Sequence, residues 1–279
     1  MIRLFRIGNC AMAGFAAAIG AGIVCGMTQI PVPGVILVFS SVFLITGAGN
    51  AINDFFDADI DAINKPARPI PSGRVSRNTA LYLSFLLFGI GIALSCFINT
   101  ICFVIALVNS ILLIIYARNL KQTALAGNIC IGYLTGSTFL FGGALFETAG
   151  LYRTSGLFAL AMLATIAREI AKDIEDIEGD LAMGAVTLPI RVGQKRAGNI
   201  ASFAGIIAVI LSPMPYFTGF SVWYLVVILF ADLCFLIAIL QLIKGDAAHS
   251  SRSFKRAMAV ALLAFVVGTM SGTPMALLG

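Results

Sequence analysis

Acidic side chains in this sequence are concentrated in two stretches that share one spacing. In the first, residues 50–61, a polar row is formed by Asn50, Asp54, Asp57 and Asp61. In the second, residues 169–180, each member lies 119 positions further along the chain: Glu169, Asp173, Asp176 and Asp180. Positions separated by four, three and four residues share one face of an α-helix. The two stretches therefore predict two helix ends that each carry a row of side-chain oxygen atoms.

Such rows of carboxylates favour divalent cations. Like charges on one helix face repel each other, and the repulsion grows where the dielectric constant is low. Oxygen-only ligand sets select hard ions such as Mg2+ or Ca2+. Mg2+ uses one or two carboxylates and fills its remaining positions with water and phosphate oxygens. We expect the two rows, facing one another, to hold Mg2+ ions with a diphosphate between them.

Each acidic stretch is followed by a basic segment that contains proline. These segments are R-P-I-P-S-G-R at 68–74 and T-L-P-I-R-V-G-Q-K-R at 187–196. Their arginine and lysine side chains are suited to phosphate oxygens. Metal ions and basic groups around a diphosphate, beside a dry apolar chamber, are what ionisation of an allylic diphosphate requires. Ordinary solvated loops are the alternative for either stretch alone, and the repeated spacing argues against them.

The remaining sequence predicts an all-α, multi-pass membrane bundle. Of the 279 residues, 59% are hydrophobic and 11% are charged, whereas soluble domains carry about 25% charged residues. Apolar stretches of roughly 20 residues span a bilayer as helices. Nine such stretches are present, at about 8–28, 33–52, 78–96, 98–116, 124–146, 155–175, 196–213, 220–243 and 254–277.

The basic residues predict the orientation of this bundle. With nine spans, nearly all of them fall on one side of the membrane, and Arg153 alone falls on the other. Because basic loops stay in the cytosol, the amino terminus and both acidic stretches are expected there. The net charge of +5 is then a feature of membrane topology, and it does not indicate nucleic-acid binding. We interpret residues 1–279 as a single domain with a parallel internal repeat, whose motif loops are 50–77 and 168–196.

The paired motifs resemble those of a known family. N-D-F-F-D-A-D-I-D at 53–61 with N-K-P-A-R-P-I-P at 64–71, and K-D-I-E-D-I-E-G-D at 172–180 with T-L-P-I-R at 187–191, are similar to the motifs of the UbiA superfamily of intramembrane prenyltransferases. The second motif and the segment G-S-T-F-L-F-G-G at 136–143 are most similar in sequence to those of an archaeal branch of this superfamily. Members of that branch transfer a geranylgeranyl group from geranylgeranyl diphosphate to geranylgeranylglyceryl phosphate in ether-lipid synthesis at the cell membrane.

The resemblance also implies roles for matching residues. The implied Mg2+ ligands are Asn53, Asp54, Asp57, Asp61, Asp173, Asp176 and Asp180. The implied diphosphate-binding residues are Arg6, Asn9, Asn50, Arg68, Lys121 and Lys172. Tyr116 and Lys121 are the implied catalytic residues, with the Tyr116 ring steadying an allylic cation. No general base is evident.

Several alternatives stay open at the level of sequence. The acceptor is a glycerol phosphate lipid or, in other members of the superfamily, an aromatic quinone precursor. A cation transporter and a non-catalytic lipid-binding protein are readings outside the enzyme class. The small residues at 132–143 indicate either close helix packing or a polar lining, and the isolated Asp232 is either functional or a structural hydrogen-bonding group.

Overall fold

The computed structural model describes residues 2–26, 31–182 and 184–270, and these residues are largely α-helical. The helices are α1 Ile2–Phe5, α2 Ile7–Cys25, α3 Val32–Phe56, α4 Ala58–Asn64, α5 Arg77–Cys96, α6 Thr100–Ile115, α7 Ala126–Gly143, α8 Glu147–Glu175, α9 Ile177–Ala182, α10 Leu188–Val192, α11 Gln194–Leu211, α12 Met214–Phe217, α13 Val222–Ile243 and α14 Ala247–Met270. A π-helical turn, Tyr116–Leu120, follows α6, and a short 3-10 turn, Ala144–Phe146, follows α7. Within the described ranges no strand is present, only one isolated parallel bridge between Thr123 and Val186. The predicted all-α class is confirmed.

The long helices coincide with the apolar stretches of the sequence. Within the described part of the chain, nine helices of 16 residues or more each overlap one predicted span. Seven helical segments there are long and apolar enough to cross a membrane, and one of them is the 50-residue stretch Ala126–Glu175. The protein is an integral multi-pass membrane protein, while the count of nine spans and their direction stay predictions. Residues 27–28 of the first predicted span and 271–277 of the last lie outside the described residues.

The 50-residue stretch folds back on itself as a helical hairpin. A Cβ atom on Gly132 would lie 3.1 Å from the carbonyl oxygen of Met162, and one on Gly136 would lie 2.6 Å from that of Phe158. Since the contact in α8 moves backwards as α7 advances, the two helices are antiparallel. The small residues of α7 permit this approach, which supports the packing interpretation of 132–143.

The chain forms two compact units. The first comprises residues 2–21, 31–120 and 137–152, and the second comprises 22–26, 121–136, 153–182 and 184–270. The first acidic stretch belongs to the first unit and the second acidic stretch to the second.

The core of the first unit is formed around α3. Buried side chains recur on one face of this helix at Val38, Val42, Ile45 and Ile52, which is the spacing of an amphipathic helix. α5 packs closely against that face, because Ser41 Oγ donates to the Gly91 carbonyl over 2.7 Å.

The core of the second unit combines α8, α11, α13 and α14. Phe235 and Phe254 pack with ring centroids 6.0 Å apart, and Ser250 Oγ donates to the Ala238 carbonyl over 2.8 Å. Asp232 is buried in this unit and accepts a hydrogen bond of 2.7 Å from Ser212 Oγ. A partner of this kind supports the structural interpretation of Asp232.

Candidate active site

Three carboxylates of the first acidic stretch are buried side by side. Asp54, Asp57 and Asp61 are 3%, 7% and 5% exposed. The helix is interrupted between them, since α3 ends at Phe56 and α4 begins at Ala58. The backbone hydrogen bonds from Asp57 N to Asn53 O and from Asp61 N to Asp57 O nevertheless continue the helical path. The predicted row is therefore retained with a slight break at Asp57.

Arg68 and Arg6 provide positive charge to this row. Arg68 lies in the proline-containing loop, and its Nη1 is 3.4 Å from Asp54 Oδ1 and 3.9 Å from Asp57 Oδ2. The same nitrogen forms an ion pair with Asp61. Arg6 Nη2 lies 2.6 Å from Asp54 Oδ1. Two guanidinium groups thus face three carboxylates.

Asn50 and Asn53 have different local roles in this structure. Asn53 Nδ2 donates to Asp57 Oδ2 over 2.8 Å and orients that carboxylate. Asn50 Nδ2 donates to the carbonyl oxygen of Phe5 over 2.9 Å, at the junction of α1 and α2. Asn50 therefore holds the chain segment that carries Arg6, and its predicted role toward a diphosphate stays a prediction.

The junction that presents Arg6 has an unusual backbone. Arg6 has a φ of +50°, a left-handed conformation that costs energy for a residue with a Cβ atom. The next turn begins at once, because Asn9 N donates to Arg6 O over 2.7 Å. Asn9 is exposed in this turn. The arrangement separates α1 from α2 and directs the Arg6 side chain toward Asp54.

The second acidic stretch shows the same interruption at the equivalent position. α8 ends at Glu175 and α9 begins at Ile177, so the break falls at Asp176, 119 residues after Asp57. As in the first stretch, helical backbone hydrogen bonds continue across the break, from Asp176 N to Lys172 O and from Asp180 N to Asp176 O. The local structure of the two stretches therefore repeats as their sequences do.

The side chains of the second stretch are more open and have other partners. Asp176 is exposed, and Asp173 and Asp180 are half-buried. Asn128 Nδ2 donates to Asp173 Oδ2 over 2.8 Å. Lys172 Nζ lies 3.7 Å from Glu169 Oε2, and Arg168 also pairs with Glu169. Glu169 is thus engaged by neighbouring basic residues of its own helix.

The chain segment before α7 is attached to the loop that follows the second stretch. Val186 N donates to the Gln122 carbonyl over 2.9 Å, beside the bridge of Thr123 with Val186. Burial raises the pKa of the Asp180 carboxyl above its ordinary value, and Asp176 raises it further, whereas Lys172 and Lys121 lower it. Lys121 and Lys172 therefore both act electrostatically on this end of the second stretch.

Tyr116 lies on the π-helical turn Tyr116–Leu120, which ends immediately before Lys121. π-Helical turns are rare and are frequently found at functional sites. Tyr116 is half-buried there, and Arg118 is exposed. The sequence predicted the two residues as a pair but not the irregular turn that presents them.

The donor set fits a hard divalent cation. Within the described ranges, no group of three or more His, Cys, Asp or Glu side chains is already arranged for a metal ion. A Mg2+ site seldom needs three such side chains, because water and phosphate oxygens supply most of the ligands of the ion. The carboxylate and amide oxygens of both stretches are the ligand type that Mg2+ prefers.

Two polar contacts were missed by sequence reasoning. Asn128 lies in a predicted apolar span, and a polar amide inside that span is the only feature of the sequence that could have indicated a role in the site. Glu175 lies off the predicted row and is exposed, and it accepts a hydrogen bond of 2.6 Å from Ser251 Oγ. This bond ties the end of α8 to α14.

Comparisons with known proteins agree over nearly the whole chain. Residues 11–275 match the model of the UbiA prenyltransferase family. A digeranylgeranylglyceryl phosphate synthase of Methanosarcina mazei is 52% identical over 96% of this chain and 97% of that protein. A solved structure of a digeranylgeranylglyceryl phosphate synthase has a TM-score of 0.84 at 41% identity, covering 96% of this chain and 97% of the other. A UbiA homolog from Archaeoglobus fulgidus bound to GPP and Mg2+ has a TM-score of 0.69 at 17% identity, covering 97% of this chain and 99% of that one, and is similar in fold.

Proposed function

This chain belongs to the UbiA prenyltransferase family, as its motifs predicted, and we propose that it transfers a geranylgeranyl group from geranylgeranyl diphosphate to geranylgeranylglyceryl phosphate. The observation that carries this proposal is the 52% identity to a digeranylgeranylglyceryl phosphate synthase over 96% of the chain. The product is a membrane ether lipid of the archaeal type. Both substrates have long isoprenoid tails, which suits an enzyme embedded in the bilayer.

The reaction exchanges one carbon–oxygen bond for another. The bond between the allylic carbon and the diphosphate oxygen breaks, and the electron pair leaves with the diphosphate. The free hydroxyl oxygen of the glycerol phosphate lipid forms an ether bond to the allylic carbon and loses its proton. A carboxylate of the acidic stretches or the released diphosphate accepts that proton.

The acidic stretches are proposed to bind the diphosphate through Mg2+. The residues that would hold the ions are Asn53, Asp54, Asp57, Asp61, Asp173, Asp176 and Asp180. When bound, Mg2+ stabilises negative charge on the leaving diphosphate. The burial of Asp54, Asp57 and Asp61 along one row supports this assignment, since neighbouring carboxylates favour a bound cation. The A. fulgidus homolog, similar in fold, is bound to GPP and Mg2+.

Basic residues are proposed to bind the phosphate oxygens directly. Arg68 and Arg6 contact carboxylates in this structure, and they would turn to phosphate oxygens once cations neutralise those carboxylates. Lys121 and Lys172, near the second stretch, are suited to the same role, and Asn9 and Asn50 would contribute amide groups. Arginine forms paired hydrogen bonds to phosphate, so it orients the group as well as neutralising it.

Tyr116 is proposed to act on the allylic carbon. Its aromatic face attracts a developing positive charge, and the π-helical turn fixes its backbone. Apolar side chains must exclude water until the acceptor oxygen attacks. The active site is proposed to lie at the cytosolic face of the cell membrane, because both motif loops are in the basic part of the predicted topology.

An acceptor assay tests the proposed function. The full chain in lipid nanodiscs is supplied with labelled geranylgeranyl diphosphate, Mg2+ and either geranylgeranylglyceryl phosphate or a hydroxybenzoate. We expect label in a digeranylgeranyl lipid, with one inorganic diphosphate released per product. Label in a prenylated aromatic alone would establish the quinone-precursor alternative. Cation flux in proteoliposomes without consumption of the prenyl diphosphate would establish the transporter alternative.

A further inference from the structure

Asn128 is a buried amide in direct contact with a proposed metal ligand. It lies in the first turn of α7 and is 5% exposed. Its Nδ2 donates to Asp173 Oδ2 over 2.8 Å. A polar amide in an apolar span is costly unless its groups are paired. One half of this amide is paired with the Asp173 carboxylate.

The other half of the amide is not paired. Asn128 Oδ1 is buried and has no hydrogen-bond partner among the described residues. Turning the amide over does not solve this, because the oxygen would then face the carboxylate of Asp173. A buried acceptor without a partner costs free energy, so the position is one where a water molecule or a ligand would be expected.

The start of α7 is held in a way that fixes Asn128. Leu125 has a φ of +61°, which is rare for a bulky residue and persists only where the surroundings require it. Ala126 N donates to the Ala124 carbonyl over 2.7 Å in this turn. The preceding residues are attached to Val186 through the Gln122 carbonyl. The backbone of Asn128 is therefore tied to the loop after the second acidic stretch.

We propose that Asn128 is a positioning residue for Mg2+ and diphosphate binding by the second acidic stretch. Its Nδ2 orients the Asp173 carboxylate, and its Oδ1 accepts a hydrogen bond from a water molecule of the bound ion. This inference rests on the proposed function, since it assumes that Asp173 binds Mg2+. Groups that orient a metal ligand from behind contribute strongly to affinity.

The chain offers a matched control in Asn109. Its Nδ2 donates to Ser137 Oγ over 2.9 Å, and its Oδ1 is likewise buried without a partner among the described residues. The partner here is a neutral hydroxyl and no acidic stretch is involved. Asn128→Leu and Asn109→Leu therefore remove the same amide group, one beside an acidic stretch and one beside a hydroxyl.

The test is Mg2+ binding measured by titration calorimetry in the presence of inorganic diphosphate, with the full chain in nanodiscs. Asn128→Leu is expected to weaken Mg2+ binding by about 10- to 100-fold, and Asn109→Leu to leave it unchanged. In an Asp173→Asn background, Asn128→Leu is expected to cause a smaller further loss, since the contribution of Nδ2 through the Asp173 carboxylate is already removed. If Asn128→Leu does not fold, Asn128→Ser, which is too short to reach Asp173, is measured in the same way.

The results separate this inference from the proposed function. Wild-type affinity in the Asn128 variant, or an equal loss with and without the Asp173 carboxylate, would overturn the role of Asn128 and leave the proposed function intact. A wild-type protein that binds no Mg2+ with diphosphate would overturn both. A loss that occurs in the Asn128 variants but not in Asn109→Leu, and that is smaller in the Asp173→Asn background, supports the inference.

Discussion

Arg68 is the side chain on which the charge balance of the first acidic stretch depends. It contacts Asp54, Asp57 and Asp61 with one nitrogen atom. In the proposed reaction the same arginine binds phosphate, so Arg68 pairs with the carboxylates when substrate is absent and with phosphate oxygens when substrate is bound. Its loop and its basic character were predictable from sequence, whereas its pairing with carboxylates in the absence of substrate was not.

Replacing Arg68 tests this balance. Arg68→Gln leaves the three buried carboxylates with less compensating charge. We expect the free energy of unfolding to fall by about 1 to 3 kcal/mol, less than for a fully buried ion pair because the Arg68 side chain is 24% exposed. Asp59→Asn is the control, since it removes an ion pair to Arg77 in which Asp59 is 82% exposed. Equal thermal stability of the two variants would contradict the account.

Asp246 provides a prediction of how the stability of the fold changes with pH. Its Oδ1 accepts a hydrogen bond of 3.1 Å from His249 N at the start of α14. Hydrogen bonds from His249 hold the pKa of the Asp246 carboxyl below its ordinary value of 3.8. The ionised form is therefore favoured by folding, so its stabilising contribution is complete above that ordinary value and is lost as pH falls through the lower folded value. Asp246→Ala is expected to lower the melting temperature at neutral pH and to matter progressively less below about pH 4. A difference in melting temperature that does not change with pH would contradict this.

At the scale of helices, the two acidic stretches are interrupted at equivalent residues. Asp57 and Asp176 each separate a long helix from a short one while the backbone hydrogen bonds continue. The sequence predicted the repeat and the helical rows, because spacing determines which side chains share a face. It did not predict the breaks, since neither position carries proline or glycine. The irregular turns at Arg6, Tyr116 and Leu125 were equally hidden, since none of the three residues is proline or glycine.

Close helix packing provides the prediction at this scale. A Cβ atom on Gly142 would lie 1.9 Å from the Ala17 carbonyl oxygen, so α2 and α7 must move apart to accommodate it. We expect Gly142→Ala to destabilise the protein by more than about 3 kcal/mol. Gly89→Ala is the control, because nothing beyond its chain neighbours and its own helix backbone lies within 4 Å of its Cβ position. It should be neutral or stabilise the helix by about 0.5 to 1 kcal/mol. Similar unfolding in detergent for both variants would refute the packing interpretation.

At the scale of the whole molecule, composition determined the membrane class and the helix positions. Long apolar stretches leave few choices other than helices in a bilayer, so each predicted span corresponds to a helix. Contacts such as Asn128 with Asp173 join residues far apart in sequence, and no local pattern predicts them. Asn128 lies within a predicted membrane span, yet its side chain contacts Asp173, a proposed metal ligand.

We propose that both acidic stretches act on one diphosphate. The most direct measurement is the Mg2+-dependent affinity for geranylgeranyl diphosphate in Asp57→Asn, Asp176→Asn and the double variant, each as the full chain in nanodiscs. If both residues serve one bound diphosphate, each single variant loses affinity and the losses are not additive, with a coupling free energy of about 0.5 to 3 kcal/mol. Losses that add without coupling, or one single variant that binds like the wild type, would contradict the account.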